Sequence, residues 1–416
     1  MAVVKPFRGL RPPRALAADL ACLPYDVMNT EEATLMAKGK ECSLLHITRS
    51  EIDLPAGIDT HSEEVYNKSV ENFALWQKNG WLVQDEEPLF YIYAQTMDGR
   101  TQYGIVGCAS VDDYLNDVIK KHELTRPDKE QDRMIHVRVN NANIEPVFFT
   151  YPAVDEIDEI VNKIVTDEKP DYDFTAEDGF GHHFWVIRDA DTNRLIERLF
   201  AEKVPCTYVA DGHHRTAAAA LVGKEKRDAN PYHTGNEEYN FFLAVHFPDN
   251  QLRIIDYNRT VKDLNGLTAG QFIEKLSESF DIEEKGKDIY KPERLHNYSM
   301  YLEGIWYSLT AKEGTFNDGD PIGVLDVTIL TNQILSPILD IQDLRRSKRI
   351  DFIGGIRGLG ELVKRVDSGE MKVAFALYPV SMDQLFSIAD SGNIMPPKTT
   401  WFEPKLRSGL VIHLLN

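Results

Sequence analysis

One short stretch, Val209-Ala-Asp-Gly-His-His-Arg-Thr216, constrains the fold more than any other part of this 416-residue chain. An apolar run ends at Val209 and an alanine-rich run extends from Thr216 to Val222, so the stretch predicts a strand, a glycine turn and the start of a helix. The first N–H groups of a helix lack partners and the helix dipole is positive there, so this turn is a candidate anion site. The alternative is a buried helix start whose histidines only satisfy hydrogen bonds.

The side chains of this turn favour a phosphate-handling site. The planar guanidinium of Arg215 can bind phosphate oxygens through two parallel hydrogen bonds. Asp211 is placed to accept a proton or to hold a metal ion. A helix start that needed only a cap would use Ser, Asp or Asn alone.

Composition limits the partners of the chain. Apolar residues make up 43% and charged residues 27%, as in a globular protein, and the net charge is −20. That charge excludes general affinity for nucleic acid or for an anionic membrane, since both need a basic face. The first residues lack the apolar core and cleavage site of a signal peptide, and no run approaches 18 apolar residues, so we expect neither a signal peptide nor a membrane span. Because its four cysteines are widely spaced, we expect no disulfide framework and a reducing cytoplasm.

Strand-like and helix-like segments alternate through the middle of the chain, which predicts an α+β (mixed α/β) fold. We expect an N-terminal α/β segment over residues 1–84, a phosphate-binding domain over 85–260 and a C-terminal α/β subdomain over 261–416. In the first 260 residues, the local expectations are a helix capped by Thr60-x-x-Glu63, a hairpin turn at Asp98-Gly99 and a strand pair formed by 240–246 and 252–257. Beyond them we expect a helix from a Thr268-x-x-Gln271 cap through Phe280, one strand over 300–309 and an apolar helix over 324–339 that is interrupted by Pro337.

Three further segments carry candidate chemistry. Lys121-His122-Glu123 is followed by Arg126 and Arg133, and a buried Glu123 would serve as a general base; a solvated charged turn is the alternative. In Gly354-Gly-Ile-Arg-Gly-Leu-Gly360, Arg357 is a candidate anion contact, although the spacing fits no nucleotide fingerprint. The Pro-rich segment from Met395 to Gly409 can present Lys398 and Lys405 to a pocket, or simply pack as a strap.

The N-terminal part adds candidates for substrate binding. They are Tyr25-Asp26 and Leu45-His46-Ile-Thr-Arg49. Asp26 with Arg49 suits an amino-acid zwitterion or a sugar hydroxyl, and a structural ion pair is equally compatible. His182 and His183 point to opposite faces of a strand, so they cannot easily share a metal ion.

Motifs spread along the whole chain resemble a bacterial and archaeal family known as domain-of-unknown-function family 1015. The matching pieces are Pro24-Tyr25-Asp26-Val27, Lys121-His122-Glu123 with Thr125, Ala210 to Arg215, Gly354-Gly355 and Met395 to Lys405. The chain is therefore identified as a member of that family, a membership that implies little about function.

The Ala-Asp-Gly-His-His-Arg motif also resembles the phosphate-binding turn of the ParB/sulfiredoxin superfamily, especially its free serine kinase branch. The resemblance implies a ParB-like central domain that transfers a phosphoryl group between free L-serine and a donor, either pyrophosphate or ADP/ATP, with Mg²⁺. It implies that Glu123 is the base, that Asp211 binds metal or assists the base, and that His213 acts on the transferring group. By the same likeness, the turn holds the donor phosphates through Gly212, His214, Arg215 and Thr216. To this phosphate-binding set we add Lys398 and Lys405 of the Pro-rich segment, and we predict a substrate-binding set of Tyr25, Asp26, His46, Arg49, His122 and Arg357.

Two other functions remain open at this point. A nucleotide-binding regulator without small-molecule chemistry would close as a homodimer on binding nucleotide. A phosphoserine phosphatase would release phosphate without any acceptor. Since the chain lacks a helix-turn-helix motif and a basic surface, DNA partition is not expected.

Overall fold

The computed structural model describes residues 1–416 and divides into two compact units. The first unit comprises Met1–Leu252 and Pro404–Asn416, and the second comprises Arg253–Glu403. None of the helices combines the length and apolar character needed to cross a membrane. The mixed α/β class predicted from the sequence is confirmed.

The first unit contains most of the helices and one large sheet. Its helices are α1 (Ala17–Leu20), α2 (Thr30–Ala37), α3 (Leu45–Thr48), α4 (Glu63–Lys78), α5 (Val111–Leu115), α6 (Pro127–Asn140), α7 (Asp155–Asp167), α8 (Ala190–Lys203) and α9 (His213–Ala229). Its strands up to residue 252 are β1 (Val4–Lys5), β2 (Leu10–Arg11), β3 (Val83–Gln84), β4 (Tyr91–Met97), β5 (Arg100–Ser110), β6 (Ile119–Lys120), β7 (Ala142–Asn143), β8 (Val147–Tyr151), β9 (Tyr172–Thr175), β10 (Gly181–Val186), β11 (Thr207–Asp211) and β12 (Phe241–Pro248).

The large sheet is mixed and has nine strands. Eight of them run in the order β6-β11-β8-β12-β5-β4-β10-β9, and β1 pairs with β5. The β12–β8 and β11–β6 pairs are parallel and the other pairs are antiparallel. The apolar stripe of α7, which includes Ile157 and Val161, packs in the same core as Trp185 and Phe200. This sheet holds β11 in its interior, so the end of β11 is fixed where α9 begins.

The second unit is built on a six-stranded antiparallel sheet. Its strands are β13 (Ile254–Ile255), β14 (Tyr257–Val261), β15 (Phe280–Gly286), β16 (Asn297–Leu302), β17 (Ile305–Ala311), β18 (Ile350–Gly354), β19 (Val373–Ala376) and β20 (Trp401–Phe402). Its helices are α10 (Ala269–Leu276), α11 (Asp326–Leu330), α12 (Leu359–Asp367) and α13 (Met382–Asp390). The sheet order is β15-β17-β16-β19-β14-β18, and β13 pairs separately with β20.

The units divide the chain differently from the three domains expected from the sequence. Residues 1–84 and 85–252 belong to one unit because Val4 pairs with Ala109 in the large sheet. The C-terminus joins the same unit, where Leu10 pairs with Ile412 and a final strand, β21 (His413–Leu414), pairs with β7. Pairing between residues far apart in sequence leaves no local signal, so composition could not reveal these boundaries.

Several local expectations needed correction. The helix near residue 60 begins at Glu63 after Ser62, without the expected Thr60 cap. The single strand expected over 300–309 is a hairpin that turns at Glu303 and Gly304, both at positive φ. The runs 240–246 and 252–257 do not pair with each other, because β12 pairs with β5 and β8.

Two helices expected in the second unit also differ from the structure. The Thr268–Gln271 capping box is present, but α10 ends at Leu276 and Phe280 begins a strand. The helix expected over 324–339 is a short α-helix followed by the π-helical turn Thr331–Leu335. A wider turn of this kind before Pro337 accommodates the loss of the proline N–H donor.

Candidate functional site

The strand-turn-helix motif occurs as the sequence predicted. β11 ends at Asp211, Gly212 has φ +89° and ψ 35°, and α9 begins at His213 with no side-chain cap. The sharp reversal needs the left-handed backbone that glycine adopts at little cost. A β-bulge between Val209 and Asp211 twists the strand end and orients the Asp211 side chain. The uncapped first turn of α9 therefore presents its N–H groups at the end of a rigid strand.

Asp211 is held between two cations. Its Oδ2 atom lies 3.2 Å from Lys405 Nζ and 3.7 Å from Arg215 Nη2. Burial raises the pKa of the Asp211 carboxyl, but the charges of Lys405 and Arg215 outweigh burial and bring that pKa below its ordinary value. The carboxyl is thus ionised at neutral pH. Lys405 comes from the strap that the sequence had marked as able to present lysines.

Arg215 is almost fully buried, with 6% of its side chain exposed. It donates to the Pro146 carbonyl oxygen at 2.6 Å, whereas its buried Nε–H has no partner. Burial disfavours the charged form, but Asp26, Glu145 and Asp211 outweigh it and raise the pKa of the guanidinium. A buried donor without a partner costs about 1–3 kcal/mol, so Nε marks a place where a ligand acceptor would be stabilised.

His213 lies at the centre of a cluster that also contains the His122 imidazole and the Glu123 carboxylate. Its Nδ1 lies 3.8 Å from Glu123 Oε2, and its ring meets the His122 ring edge-to-face at a centroid distance of 4.5 Å. Burial, together with His122, holds the pKa of His213 well below its ordinary value. Its Nε2 is buried and has no partner. His213 is therefore a neutral base at physiological pH, beside a half-exposed carboxylate.

Other predicted members of the turn have structural contacts. His214 Nε2 accepts a hydrogen bond from the Arg126 N–H at 3.0 Å, which ties the loop before α6 to the start of α9. Burial lowers the pKa of His214, so its ring is a neutral acceptor. Thr216 is fully buried and donates its hydroxyl to the Gly212 carbonyl oxygen at 3.0 Å. Both side chains hold the shape of the turn.

Glu145, a residue that sequence reasoning missed, connects the Tyr25 segment to the region of Arg215. Glu145 accepts from the Tyr25 N–H at 3.0 Å and from Arg133 Nη1 at 3.4 Å. The Arg133 guanidinium also lies 3.8 Å from the centre of the Tyr25 ring. Burial raises the pKa of Glu145. Its only sequence signal is a lone acid inside the apolar run Ile144 to Phe149, a pattern too common in proteins to indicate a site by itself.

The remaining candidates of the first unit have structural partners, and two others belong to the second unit. His46 pairs with Asp53 at 2.7 Å, and that hydrogen bond raises the pKa of His46. Arg49 donates to Glu51, to Thr30 and to the carbonyl oxygens of Tyr25 and Met28, so it clamps the N-terminal loop. Lys398 and Arg357 are exposed residues of the second unit.

The histidine pair on β10 behaves as the strand geometry predicts. His182 is buried between Tyr93 and Arg407, whereas His183 faces Asp173 on the other side. No group of three or more His, Cys, Asp or Glu side chains anywhere in the chain could hold a metal ion by itself. Any metal at Asp211 must therefore share its coordination with ligand oxygens or water.

The fold and site define a mixed α/β protein with a buried, cationic strand-to-helix turn. The chain belongs to the family described as "Protein of unknown function (DUF1015)", whose model matches residues 4–328. The membership predicted from the motifs is thereby confirmed. The comparison with curated proteins gave no match.

Several solved structures resemble the chain distantly. Free serine kinase in complex with AMP is 13% identical over 71% of this chain and 89% of that chain, with a TM-score of 0.34. A conserved hypothetical protein from Pyrococcus furiosus is 14% identical over 71% and 93%, with a TM-score of 0.33. SbnI with a C-terminal truncation, from Staphylococcus aureus, is 11% identical over 74% and 87%, with a TM-score of 0.38. The kinase predicted from the sequence motif is thus among the similar structures, but scores this low carry no inference about chemistry.

Proposed function

We propose that this protein is a small-molecule phosphotransferase whose phosphate site is the start of α9. The observation that carries the proposal is a pair of buried atoms without partners, Arg215 Nε and His213 Nε2, at an uncapped helix start beside Lys405. These two atoms both belong to the first turn of α9, so one ligand bound at that turn could satisfy them together. A phosphate group would accept from Arg215, from Lys405 and from the first N–H groups of the helix.

The charges around the turn support an anionic ligand. Arg215 and Lys405 both contact Asp211, and Asp26 and Glu145 add further negative charge near Arg215. The positive end of the α9 dipole adds to the charge of the two cations. In a chain with a net charge of −20, two largely buried cations beside a helix start suit a small anion rather than a polyanion.

His213 and Glu123 supply the proton acceptor for the transfer. The acceptor hydroxyl oxygen forms the new bond to phosphorus, and the bond between phosphorus and the donor's bridging oxygen breaks. The hydroxyl proton passes to the His213–Glu123 pair, and the leaving group carries away the electron pair of the broken bond. The lowered pKa of His213 keeps the imidazole unprotonated at neutral pH, and the Glu123 carboxylate beside it would stabilise the imidazolium formed when the proton is taken up.

Asp211 fits Mg²⁺ as one ligand among several. Magnesium commonly binds through one or two carboxylates plus phosphate oxygens and water. Both cation contacts of Asp211 use Oδ2, so Oδ1 can serve as a metal ligand. When bound, the ion would neutralise negative charge on the phosphate group.

The acceptor in this proposal is free L-serine, or O-phosphoserine in the reverse direction, and the donor is pyrophosphate or an adenine nucleotide. These identities come from the resemblance of the turn to the free serine kinase branch. The cluster itself supports a phosphate group and a proton acceptor, which both donors and several hydroxyl acceptors would satisfy.

Phosphorus NMR of the purified protein tests this function directly. L-serine and Mg²⁺ would be offered with pyrophosphate, ADP or ATP in separate samples, and phosphoserine alone would be a fourth sample. We expect a new phosphoserine resonance with one donor. Binding of a donor without product, and with phosphoserine unchanged, would overturn the proposal in favour of a regulator. Free phosphate from phosphoserine alone would indicate a hydrolase.

Arg215→Gln provides the matched variant for this experiment. Removing the guanidinium should lower turnover by about 100-fold, the size of effect seen when one preorganised donor to a developing charge is lost. Arg227→Gln is the control, because Arg227 lies on the same helix and pairs with Asp112 at the surface. Equal turnover in the two variants would show that the activity does not arise at this turn.

A further inference from the structure

A polar cavity lies between α4, α6 and the segment that follows α3. It has a volume of about 90 Å³. Its wall includes Tyr25, Glu51, Lys129, Asp132 and Arg133. The exposed residue His61 also lines the cavity, so it is a pocket partly open to solvent that is large enough for a small polar molecule.

The volume fits a molecule of a particular size. One water needs about 10–15 Å³ of such space, so the cavity holds roughly six to nine non-hydrogen atoms. Serine has seven non-hydrogen atoms. Pyrophosphate has nine, at the upper limit of that range, and nucleotides have many more, so the cavity size excludes a nucleotide donor but not pyrophosphate.

The charges of the wall are of both signs. Asp132 and Glu51 are 6% exposed, and they pair with Arg133 and Arg49 at 2.7 Å. Lys129 is half-buried in the same wall and forms no ion pair. Each buried carboxylate accepts up to about four hydrogen bonds. Asp132 and Glu51 therefore have capacity for an ammonium group, while Lys129 still lacks a negative partner.

The cavity adjoins the phosphate site through two consecutive residues. The Tyr25 side chain forms part of its wall, and the Tyr25 N–H donates to Glu145. The next residue, Asp26, is exposed and provides the strongest attractive charge on both Arg215 and His214. Arg133 of the cavity wall also lines a second pocket together with Glu145 and Arg215, so the two pockets share this residue.

We propose that this cavity binds the zwitterionic head of a small amino acid, with its carboxylate against Lys129 and Arg133 and its ammonium against Asp132 and Glu51. The assignment rests on the proposed function, for which it supplies the acceptor site. Arg49, which the sequence predicted to bind the substrate directly, instead supports the cavity by orienting Glu51 and the Tyr25 loop. The alternative is a cavity filled only by water.

Isothermal titration of the full-length protein, without a phosphate donor, tests the assignment. The probes are L-serine, β-hydroxypropionate, which lacks the ammonium, and ethanolamine, which lacks the carboxylate. We expect measurable binding of L-serine and at least tenfold weaker binding of the other two, because each loses one charged contact of about 1.4 kcal/mol or more. Equal binding of all three, or of none, would overturn the assignment.

Substitutions locate the bound amino acid. Lys129→Gln and Glu51→Gln should each weaken L-serine binding by about tenfold or more. Lys78→Gln is the control, because Lys78 is an exposed residue of α4 without an ion pair. Lys129 is half-buried and unpaired, so its replacement should leave folding intact even if Glu51→Gln destabilises the chain. Unchanged L-serine affinity in Lys129→Gln would place the amino acid elsewhere.

This inference and the proposed function can fail separately. If wild-type protein makes phosphoserine while Lys129→Gln keeps the wild-type KM for serine, the function stands and the cavity assignment is wrong. If L-serine binds in a Lys129-dependent way but no phosphoryl transfer occurs, the cavity assignment stands and the proposed function is wrong.

Discussion

At the scale of single residues, Asp211 has the most informative surroundings. Its carboxylate neutralises part of the charge of Arg215 and Lys405, and its pKa is lowered by those same cations. Replacing it with an uncharged amide would leave two cations facing the site. The Asp211 carboxylate is therefore expected to promote turnover and to weaken the binding of anions.

The Asp211→Asn variant tests these two effects. We expect turnover to fall by about 100-fold or more, since the carboxylate assists proton transfer or the metal ion. Affinity for pyrophosphate without metal should be equal to or greater than that of the wild type, because a negative charge beside the phosphate has been removed. Turnover by phosphorus NMR and affinity by titration give the two readouts.

Asp228→Asn is the matched control for that variant. Asp228 lies at the exposed end of α9, where it pairs with Lys224. A loss of pyrophosphate affinity in Asp211→Asn, with wild-type affinity in Asp228→Asn, would contradict the assigned position of the phosphate.

At the scale of elements, the junction of β11 and α9 depends on one glycine. A Cβ atom added at Gly212 would lie 3.1 Å from the guanidinium carbon of Arg215, and the residue has φ +89°. The glycine thus satisfies two requirements together: a left-handed backbone and close approach of the Arg215 side chain. Another glycine, Gly179, has φ +85° with nothing near its Cβ position.

Gly212→Ala and Gly179→Ala separate the two requirements. Both variants should lose about 1–2 kcal/mol of stability, because alanine is strained in a left-handed backbone. Gly212→Ala alone should lose affinity for pyrophosphate, since its methyl group displaces Arg215. Urea unfolding measures stability and titration measures affinity. Similar pyrophosphate affinity in the two variants would show that Arg215 is not a ligand.

The elements also show what sequence can predict. Asp98-Gly99 is a strong hairpin signal, and the structure places both residues at positive φ. Glu303-Gly304 makes the same kind of turn, but glutamate rarely occupies it, so a single strand was expected there. The turn from Asp211 to Arg215 was predictable because its residues are consecutive. The contact of Asp211 with Lys405 crosses 194 positions, and only tertiary structure reveals such a contact.

At the scale of the whole molecule, five histidines are buried without charge. The pKa is lowered to about 4 for His122 and His136 and to about 3 for His182 and His246, and it is well below the ordinary value for His213. Burial is the main cause in each case. The unfolded chain takes up these protons near pH 6.5, whereas the folded chain does not. Stability from these histidines is therefore complete above about pH 6.5 and is lost as the pH falls toward 4.

His246 allows this acid sensitivity to be measured for one residue. Its ring is fully buried between Phe149 and Phe200, and neither nitrogen has a partner. Leucine is similar in volume and cannot be protonated. Between pH 7 and pH 4, the free energy of unfolding should therefore fall by about 3 kcal/mol less in His246→Leu than in the wild type. Urea unfolding at several pH values gives the comparison, with His233→Gln, a change at a half-exposed histidine, as control. If the wild type and His246→Leu lost stability in parallel as the pH fell, the buried imidazole would not be a source of the acid sensitivity.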